Sequence, residues 1–444
     1  MDQYDPEPGV LPEREFFIHV KMKSLNASSM SYRSMKISRQ AITKKRENRK
    51  NVFLVTGGTG FIGSHIAVEL LERGYSVVLV CRPGKDLTAR ERVDRLLAWF
   101  QFNGRPELSK LEVIEGFIDQ PGLGLTVREY VRLAERIDEI IHCAANTAFA
   151  EKKRIEVETA NTKPLENLLA LAARSRRRGP KGGCYFFHHI STAYVAGKQS
   201  GICREELRET HEFHNVYEET KYYAERFVWE KFPAEGIRVN IYRPSIIYGH
   251  SETGKTFRFN ALYFPIKTAL FLKRIYETDF KENQGKKARQ MGVRMENDGT
   301  IYLPIRLEKR AGSFINLIPI DFFIHAFFAL MEECLEGDIF HIVSPTPKPL
   351  EEIIDYGQEV FKVKGVRSVA NESFRQEPSN GLEILFNTYL DIYQPYLRDT
   401  RWFDSVKAGA ILERRKIICP EFDIDRFSRC MKYALAVDWG RKLV

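Results

Sequence analysis

The chain has 444 residues, of which 43% are hydrophobic and 12% aromatic, and its formal net charge is +9. Enough apolar side chains are present for a sizeable core, which excludes a disordered, collagen-like or coiled-coil protein over most of the length. The length suits a large α/β domain with one appended unit. Seven scattered cysteines without a Cys-x-x-Cys pair predict reduced thiols, a cytoplasmic location and no metal site.

More than half of the net positive charge lies in the first 50 residues. Residues 21–50 contain ten Lys or Arg and one acid, whereas residues 1–20 contain five acids and one Arg. We interpret 1–50 as a basic, flexible leader, with an electrostatic contact to a membrane, an acidic partner or a polyanion as the alternative. The cations lack the interleaved aromatics of a nucleic-acid surface. We find neither a secretory signal nor an apolar run of the roughly 18 residues that a membrane-spanning helix needs. Peripheral membrane contact is therefore the kind of membrane association that the sequence leaves open.

From residue 51 the chain alternates short apolar runs with amphipathic helical patterns. The predicted strands cover 51–56, 75–81, 111–118, 138–145, 185–191 and 238–249. The predicted helices lie between them, with one ending near residue 73 and the others at 88–100, 127–136, 161–174 and 217–232. Continuous apolar strands joined by helices indicate a doubly wound parallel sheet with both faces covered. This α/β architecture is typical of dinucleotide-binding domains.

Three glycines follow the first predicted strand. Gly57, Gly60 and Gly63 have the spacing Gly-x-x-Gly-x-x-Gly and precede a predicted helix. In such a loop the first glycine allows a tight turn, the second admits a pyrophosphate and the third lets the helix pack on the strand. A purely structural turn could use the same glycines. Their position after a buried strand favours dinucleotide binding.

Cations follow the second predicted strand. Arg82 and Lys85 come directly after it, and Arg90 and Arg92 follow on the next helix, whereas the acid Asp86 comes late. A cation at this position accommodates the 2′-phosphate of NADP, while an acid would bind the ribose of NAD. Solvated surface cations are the alternative. We predict NADP(H) as the cofactor.

A tyrosine and a lysine share one face of the helix after the fifth predicted strand. Tyr217 and Lys221 are four residues apart, so the ammonium can approach the phenol and lower its pKa. A Tyr-x-x-x-Lys match is expected by chance in a chain of this length, and its position therefore decides its meaning. The preceding strand ends in Ser191 and Thr192, at the edge where parallel sheets bind ligands. These groups predict a reductive proton-transfer site.

Together these segments resemble the extended short-chain dehydrogenase/reductases, whose fold is of the Rossmann type. The resembling segments are Thr56-Gly-Gly-Thr-Gly-Phe-Ile-Gly63, Ser191-Thr192, Tyr217 with Lys221, and Arg243-Pro-Ser-Ile-Ile-Tyr-Gly249. Four more segments resemble the thioester-reductase and fatty acyl-CoA reductase branch. They are Arg90-Glu-Arg-Val, Pro121-Gly-Leu-Gly-Leu125, Ile141-His-Cys-Ala-Ala-Asn-Thr-Ala-Phe149 and His189-Ile-Ser-Thr-Ala-Tyr-Val195. The resemblance covers about residues 51–350.

By this resemblance, Thr192, Tyr217 and Lys221 are the expected catalytic residues. The expected cofactor contacts are Gly57, Thr59, Gly60, Phe61, Ile62, Gly63, Arg82, Arg92, Ala144, Asn161, Tyr217, Lys221, Pro244 and Ser245. In the family an Asp usually follows Gly after the third strand and contacts adenine. Here Gly116 is followed by Phe117 and Ile118, and Asp119 comes two residues late.

The implied activity is NADPH-dependent reduction of an acyl thioester, carried on coenzyme A or an acyl carrier protein. Hydride would reach the carbonyl carbon, with Tyr217 as proton donor, and the product would be an aldehyde, with alcohol left open. The alternative is an extended short-chain enzyme acting on a hydroxyl, keto or sugar-nucleotide substrate, such as a dehydrogenase or epimerase. A non-catalytic dinucleotide sensor is disfavoured by the presence of Tyr217 and Lys221.

Four regions are predicted. A leader covers 1–50, an NADP-binding domain with the catalytic Thr, Tyr and Lys covers 51–250, and a substrate-covering insertion covers 251–312. Residues 313–444 are expected to complete the sheet and form a smaller, mainly helical substrate-binding part.

Three smaller expectations concern single side chains. Asp321 is expected to cap the N-terminus of an apolar helix that runs to Met331. The aromatics between 386 and 403 are expected to form a small core, with the wall of a lipid tunnel as the alternative. His142, His188 and His189 are expected to be packing residues and not metal ligands.

Overall fold

The computed structural model describes residues 51–178, 183–209 and 212–442, so the expected leader lies outside the described residues. In these ranges no helix is both long and apolar enough to cross a bilayer. All seven cysteines are free. None of the groups of His, Cys, Asp and Glu within the described part could hold a metal ion.

Strands and helices alternate through the first half of the chain. The strands are β1 Val52–Thr56, β2 Ser76–Cys81, β3 Leu111–Glu115, β4 Glu139–His142, β5 Phe186–Ile190, β6 Ile202–Cys203, β7 Arg238–Pro244, β8 Ile246–Tyr248, β9 Arg294–Met295, β10 Ile301–Lys309, β11 Phe314–Ile315, β12 Leu317–Pro319, β13 Asp338–Ile342, β14 Lys348–Pro349, β15 Val363–Ala370 and β16 Trp402–Phe403. The helices are α1 Phe61–Glu72, α2 Ala89–Trp99, α3 Val127–Arg136, α4 Arg154–Arg178, α5 Val216–Ala234, α6 Tyr263–Asn283, α7 Lys286–Gln290, α8 Ile320–Glu333, α9 Leu350–Phe361, α10 Asn371–Gln376, α11 Gly381–Leu390, α12 Gln394–Leu397, α13 Val406–Arg414 and α14 Ile424–Ala436.

The central sheet has seven strands in the order β13-β7-β5-β4-β1-β2-β3. Every neighbouring pair is parallel. The strand order reverses between β1 and β4, and the crevice beyond the carboxyl ends of the strands at such a reversal is where open α/β sheets bind ligands. The predicted doubly wound sheet is therefore confirmed.

Helices cover both faces of the sheet. On one face the side chains of α1, α2 and α8 form a core with β1, β2 and β13. On the other face α3, α4 and α5 pack against β1, β4, β5 and β7. Apolar side chains point to both faces of the strands, which explains why the strands are continuous apolar runs without alternation.

A smaller unit is built from segments that lie on both sides of β13 in the sequence. Its parallel pair β10 and β15 packs against α6 and α11 around a separate apolar core. A further cluster joins α14 to α9 and to Tyr248 at the end of β8. The cavity described below lies between this unit and the carboxyl-end loops of the central sheet.

Two local predictions were wrong. The predicted strand 238–249 is two strands, because β8 leaves the central sheet and pairs in parallel with β12. Asp321 does not cap α8, whose N-cap is Pro319. The Asp321 carboxylate instead accepts hydrogen bonds from the Ser251 backbone N–H at 2.8 Å and from the Ser251 Oγ at 2.6 Å. It therefore ties the loop after β8 to the first turn of α8.

Candidate active site

The glycine loop forms a bare backbone cradle between β1 and α1. Gly57 has a φ of +70°, and a Cβ at this position would lie 2.6 Å from the Ala144 backbone N. A Cβ at Gly63 would lie 2.3 Å from the Gly57 carbonyl O. The backbones of three segments thus approach too closely for side chains at these positions. The N-terminus of α1, which favours anions, faces the same turn.

Arg92 links the end of β2 to the glycine loop. Its Nη1 donates to the Arg82 carbonyl O at 2.6 Å and its Nη2 donates to Thr59 Oγ1 at 3.1 Å. A capping box between Thr88 and Glu91 starts α2 and sets the direction of this side chain. The Arg82 side chain is exposed beside it. The structure therefore brings Thr59, the Arg82 backbone and Arg92 together, and their contact with a cofactor stays a prediction.

Asn161 braces the loop that follows β4. Its Oδ1 accepts from the Asn146 backbone N at 2.7 Å, and its Nδ2 donates to the Asn146 carbonyl O at 3.1 Å. The same Nδ2 donates to Thr220 Oγ1 on α5 at 2.9 Å. Both amide hydrogens are therefore used within the protein. Asn161 holds the loop of Ala144 against the helix that carries Tyr217.

Thr192 and Tyr217 meet at the carboxyl edge of the sheet. Asn215 caps α5 through a hydrogen bond from the Glu218 backbone N, which places Tyr217 in the first helical turn. Thr192 follows β5, is 5% exposed, and lines the same cavity as Tyr217. Burial raises the pKa of Tyr217 to about 12, and the Thr192 side chain offsets part of this rise. Lys221 is not among the groups that shift this pKa in the free protein, so its expected effect on the phenol stays a prediction.

Lys221 points to the end of β5 and is 2% exposed. Its Nζ donates to the Ile190 carbonyl O at 2.6 Å and contacts His189 Nε2 at 3.2 Å. Burial lowers the pKa of Lys221 to about 8. These two partners hold the Lys221 ammonium against the end of β5.

Two serines present unused hydroxyls at the same edge. Ser245 directly follows Pro244 at the end of β7, and its buried Oγ has no hydrogen-bond partner among the described residues. The buried Oγ of Ser191, next to Thr192, likewise has none within the described part of the chain. Unsatisfied buried hydroxyls indicate a place where a polar ligand can bind.

An apolar cavity of about 700 Å³ begins at this polar edge. Thr192, Tyr217 and Ser245 lie in its wall. The rest of the wall is mostly aliphatic and aromatic and comes from α6, α9, β10, β15 and α11, with contributors including Ile266, Leu270, Leu307, Ile354, Phe361, Val366, Phe386 and Leu390. The cavity therefore lies between the sheet and the smaller unit.

Aromatic rings connect Tyr217 to the smaller unit. The Phe149 ring centroid lies 5.9 Å from that of Tyr217, 5.9 Å from Tyr393 and 5.3 Å from Tyr396. Phe149, Tyr393, Tyr396 and Phe386 all lie in the cavity wall. The expected small core is found for Phe386, Tyr396 and Phe403, which lie in buried apolar clusters. The alternative, the wall of a tunnel, also has support, because Phe386 and Tyr396 line the cavity as well.

A buried ion-pair network holds Tyr396 next to α5. Arg401 is 2% exposed and pairs with Asp399, its Nε lying 2.8 Å from Oδ1. Its Nη1 lies 3.8 Å from the buried Glu218 Oε1. Asn215 Nδ2 donates to the Tyr396 hydroxyl at 2.7 Å. Two of these contacts, Arg401 with Glu218 and Asn215 with Tyr396, join residues more than 180 positions apart, so no local pattern could predict them.

Comparison with known proteins bears on this geometry. The family of NAD-binding domains described as male sterility protein matches residues 55–326. A hybrid PKS-NRPS synthetase of Talaromyces variabilis is 26% identical over 217 residues, which is 48% of this chain and 5% of that protein. A putative fatty acyl-CoA reductase of Drosophila melanogaster is 26% identical over 238 residues, which is 46% of this chain and 42% of that protein. The chain thus spans less than half of these relatives.

A solved structure shares the fold. The terminal R domain from the myxalamid PKS-NRPS biosynthetic pathway superposes with a TM-score of 0.64 at 22% identity, over 88% of this chain and 91% of that chain. The resemblance predicted from the sequence is confirmed by these findings. Because the matched segment 55–326 is more than half of the chain, the protein belongs to the family of NAD-binding domains described as male sterility protein.

Proposed function

We propose that the protein is an NADPH-dependent reductase that converts an acyl thioester to an aldehyde and a free thiol. The observation that carries this proposal is the apolar cavity of about 700 Å³ that begins at Thr192 and Tyr217. An acyl chain needs an apolar wall, whereas a sugar nucleotide would need many polar groups there. The names of the synthetase and the fatty acyl-CoA reductase among the relatives point the same way.

The residues around the glycine loop fit a dinucleotide. The cradle at Gly57 and Gly63 is one that a Cβ would fill, and the orphaned hydroxyls of Ser191 and Ser245 lie at the same edge of the sheet. Gly57, Gly60 and Gly63 would hold the pyrophosphate, and Arg82 with Arg92 would bind a 2′-phosphate. NADPH, when bound, supplies the hydride.

Thr192 and Tyr217 would act on the carbonyl oxygen of the thioester. Their hydroxyls hold the oxyanion that develops when the carbonyl carbon is reduced, and Tyr217 then gives its proton to that oxygen. The resulting hemithioacetal loses the thiol and leaves the aldehyde. Tyr217 is protonated at neutral pH, as a proton donor has to be. Lys221 carries a positive charge one helical turn from the phenol and stabilises the phenolate left after transfer.

The two regions after the central domain would enclose the acyl chain. Helix α6 lies within 251–312, and α9, β15 and α11 lie within 313–444, and all four contribute apolar side chains to the cavity wall. This supports the substrate-covering role proposed for both regions. The thioester would be presented by coenzyme A or by a carrier protein, and the relatives named as synthetases favour the latter.

A tyrosine pair on one helix tests the proposal. Tyr217→Phe removes the proton donor, and Tyr223→Phe is the matched control because Tyr223 lies on the same helix and is 43% exposed. With a thioester substrate we expect Tyr217→Phe to lower kcat by about 10²–10⁴-fold, while NADPH, followed by fluorescence, still binds. Tyr223→Phe should keep full activity. Full activity of Tyr217→Phe would refute the mechanism.

A further inference from the structure

Three neighbouring strands of the central sheet carry polar residues at or next to their carboxyl ends, and one of these residues contacts Lys221. Thr56 on β1 pairs in register with His142 on β4, and His142 pairs in register with His189 on β5. All three side chains are at most 1% exposed. Polar side chains buried this deeply destabilise a fold unless their hydrogen bonds are made. Their contacts therefore indicate what the cluster does.

The two histidines make different contacts. His189 Nε2 lies 3.2 Å from Lys221 Nζ. His142 stacks on the His189 ring with centroids 5.6 Å apart, and its Nδ1 lies 2.7 Å from Thr56 Oγ1. His142 has no hydrogen bond to Lys221 among the contacts of the described residues. The chain thus provides two buried histidines side by side, of which one contacts the lysine.

The contact with Lys221 determines the tautomer of His189. An ammonium only donates, so Nε2 accepts and the ring proton must be on Nδ1. Nδ1 is buried and has no partner within the described part of the chain. Burial and the Lys221 charge hold the pKa of His189 well below its usual value, so the ring stays neutral. The Nδ1–H of His189 is thus a buried donor that lacks a hydrogen bond, while Nε2 accepts one from Lys221.

The other groups that face Lys221 cannot replace this acceptor. Glu225, one turn further along α5, is bound by Arg243, with a shortest N–O distance of 2.6 Å. Cys143, after β4, is a thiol whose pKa burial raises to about 12. Tyr217, one turn earlier, makes no hydrogen bond to Lys221 Nζ, whose contacts within the described residues are His189 and Ile190. Apart from the Ile190 carbonyl, His189 is the hydrogen-bond acceptor that the described side chains offer to the ammonium.

We propose that His189 is a positioning residue, whose neutral ring holds the Lys221 ammonium at the carboxyl end of β5 and stabilises its charged form. The role in catalysis rests on the proposed function, since Lys221 acts there through Tyr217. His189 keeps the lysine protonated, so that a positive charge stands near the phenol when the proton leaves. Neither the ring nor its Nδ1 proton is consumed in the reaction.

A titration of Lys221 in the free protein tests this directly. The Cε resonances of ¹³C-lysine-labelled protein are followed against pH, and Lys221→Arg identifies the signal that disappears. His189→Leu removes the acceptor, and we expect it to lower the pKa of Lys221 by about one unit, since a hydrogen bond to a charged group is lost. His189→Gln, whose side-chain oxygen reaches the position of Nε2, should restore the wild-type pKa. His142→Leu, the matched control, should leave it unchanged.

Two outcomes would overturn the proposal. One is an unshifted Lys221 signal in His189→Leu, and the other is an equal shift in His142→Leu, which would indicate a general packing effect. If His189→Leu does not fold, His189→Asn takes its place, because its shorter amide does not reach Lys221, and the same downward shift is expected.

Kinetics then separate this inference from the proposed function. With a thioester substrate, His189→Leu should lower kcat more than it changes KM, and the loss should increase as the pH rises through the lowered pKa of Lys221. His189→Gln should recover the activity. The titration itself uses no substrate, so a shifted Lys221 signal without any thioester turnover would contradict the proposed function and leave the role of His189 standing.

Discussion

Substituting one glycine of the cofactor loop should separate packing from helix propensity. Gly63→Ala adds a Cβ in the first turns of α1, and that atom would lie 2.3 Å from the Gly57 carbonyl O and 2.8 Å from the Gly57 carbonyl C. Both are backbone atoms of a turn that is itself pressed against Ala144, so neither can rotate away. A Cβ contact below 3.0 Å is essentially never observed, and the loop must therefore shift by several tenths of an ångström.

The control is a glycine in another helix. Gly409 lies within α13, and a Cβ there would meet nothing within 4 Å. Gly409→Ala should therefore stabilise the protein by about 0.5–1 kcal/mol through helix propensity alone. At Gly63 the same gain is offset by overpacking, which typically costs about 1–3 kcal/mol. We expect Gly63→Ala to be destabilised by about 1 kcal/mol.

Urea unfolding and dinucleotide binding measure the two effects. Gly63→Ala should bind NADPH at least tenfold more weakly, because the displaced loop no longer directs its backbone N–H groups at a pyrophosphate. Gly409→Ala should bind with unchanged affinity. Wild-type affinity and stability in Gly63→Ala would refute the interpretation of this loop as a cofactor cradle.

Three further predictions address charge. Arg82→Ala should weaken NADPH binding by about tenfold or more through loss of a charged contact, and should leave NADH binding unchanged. Arg90→Ala is the control and should change neither affinity, because Arg90 is already paired with Asp94 at 3.0 Å. Equal losses for both nucleotides in Arg82→Ala would contradict NADP specificity. Arg401→Met leaves Asp399 buried and unpaired and should cost about 3–5 kcal/mol in urea unfolding; a loss below 1 kcal/mol would show that the network is not formed. The pKa of Lys221 is lowered to about 8 from 10.5, so the unfolded chain binds more protons than the folded protein between these pH values. The unfolding free energy of the wild type should therefore rise from pH 8 to 10 relative to that of Lys221→Met. If the difference between the two unfolding free energies does not change with pH, the lysine is not buried in solution.

The sequence was sufficient to predict the central sheet and the residues at its carboxyl edge. Glycine spacing after a buried strand predicted the cradle at Gly57 and Gly63, since a tight turn and a close helix approach leave few other choices. Helical periodicity placed Tyr217 and Lys221 on one face. These features depend on short stretches of chain, where spacing determines geometry.

Long-range contacts could not be predicted in this way. The position of Lys221 depends on the packing of α5 over β5, and a periodic pattern does not show that His189 meets its ammonium. Tyr396 and Arg401 reach the site from the far end of the sequence. Asp321 was predicted to be a helix cap from its position before an apolar helix. Its hydrogen-bond partner, Ser251, lies 70 residues earlier and was therefore missed. In each case the residue type suggested a role, but the residue that it contacts lies far away in the sequence and could not be predicted.

The most direct test of the proposed activity follows two products at once. Purified protein is mixed with NADPH and acyl-CoA thioesters of increasing chain length, while nicotinamide absorbance and free thiol are recorded together. The account predicts that NADPH is oxidised as thiol is released, with one NADPH per thiol for an aldehyde product and two for an alcohol. NADPH oxidation without thiol release, or with hydroxyl and keto substrates alone, would contradict it.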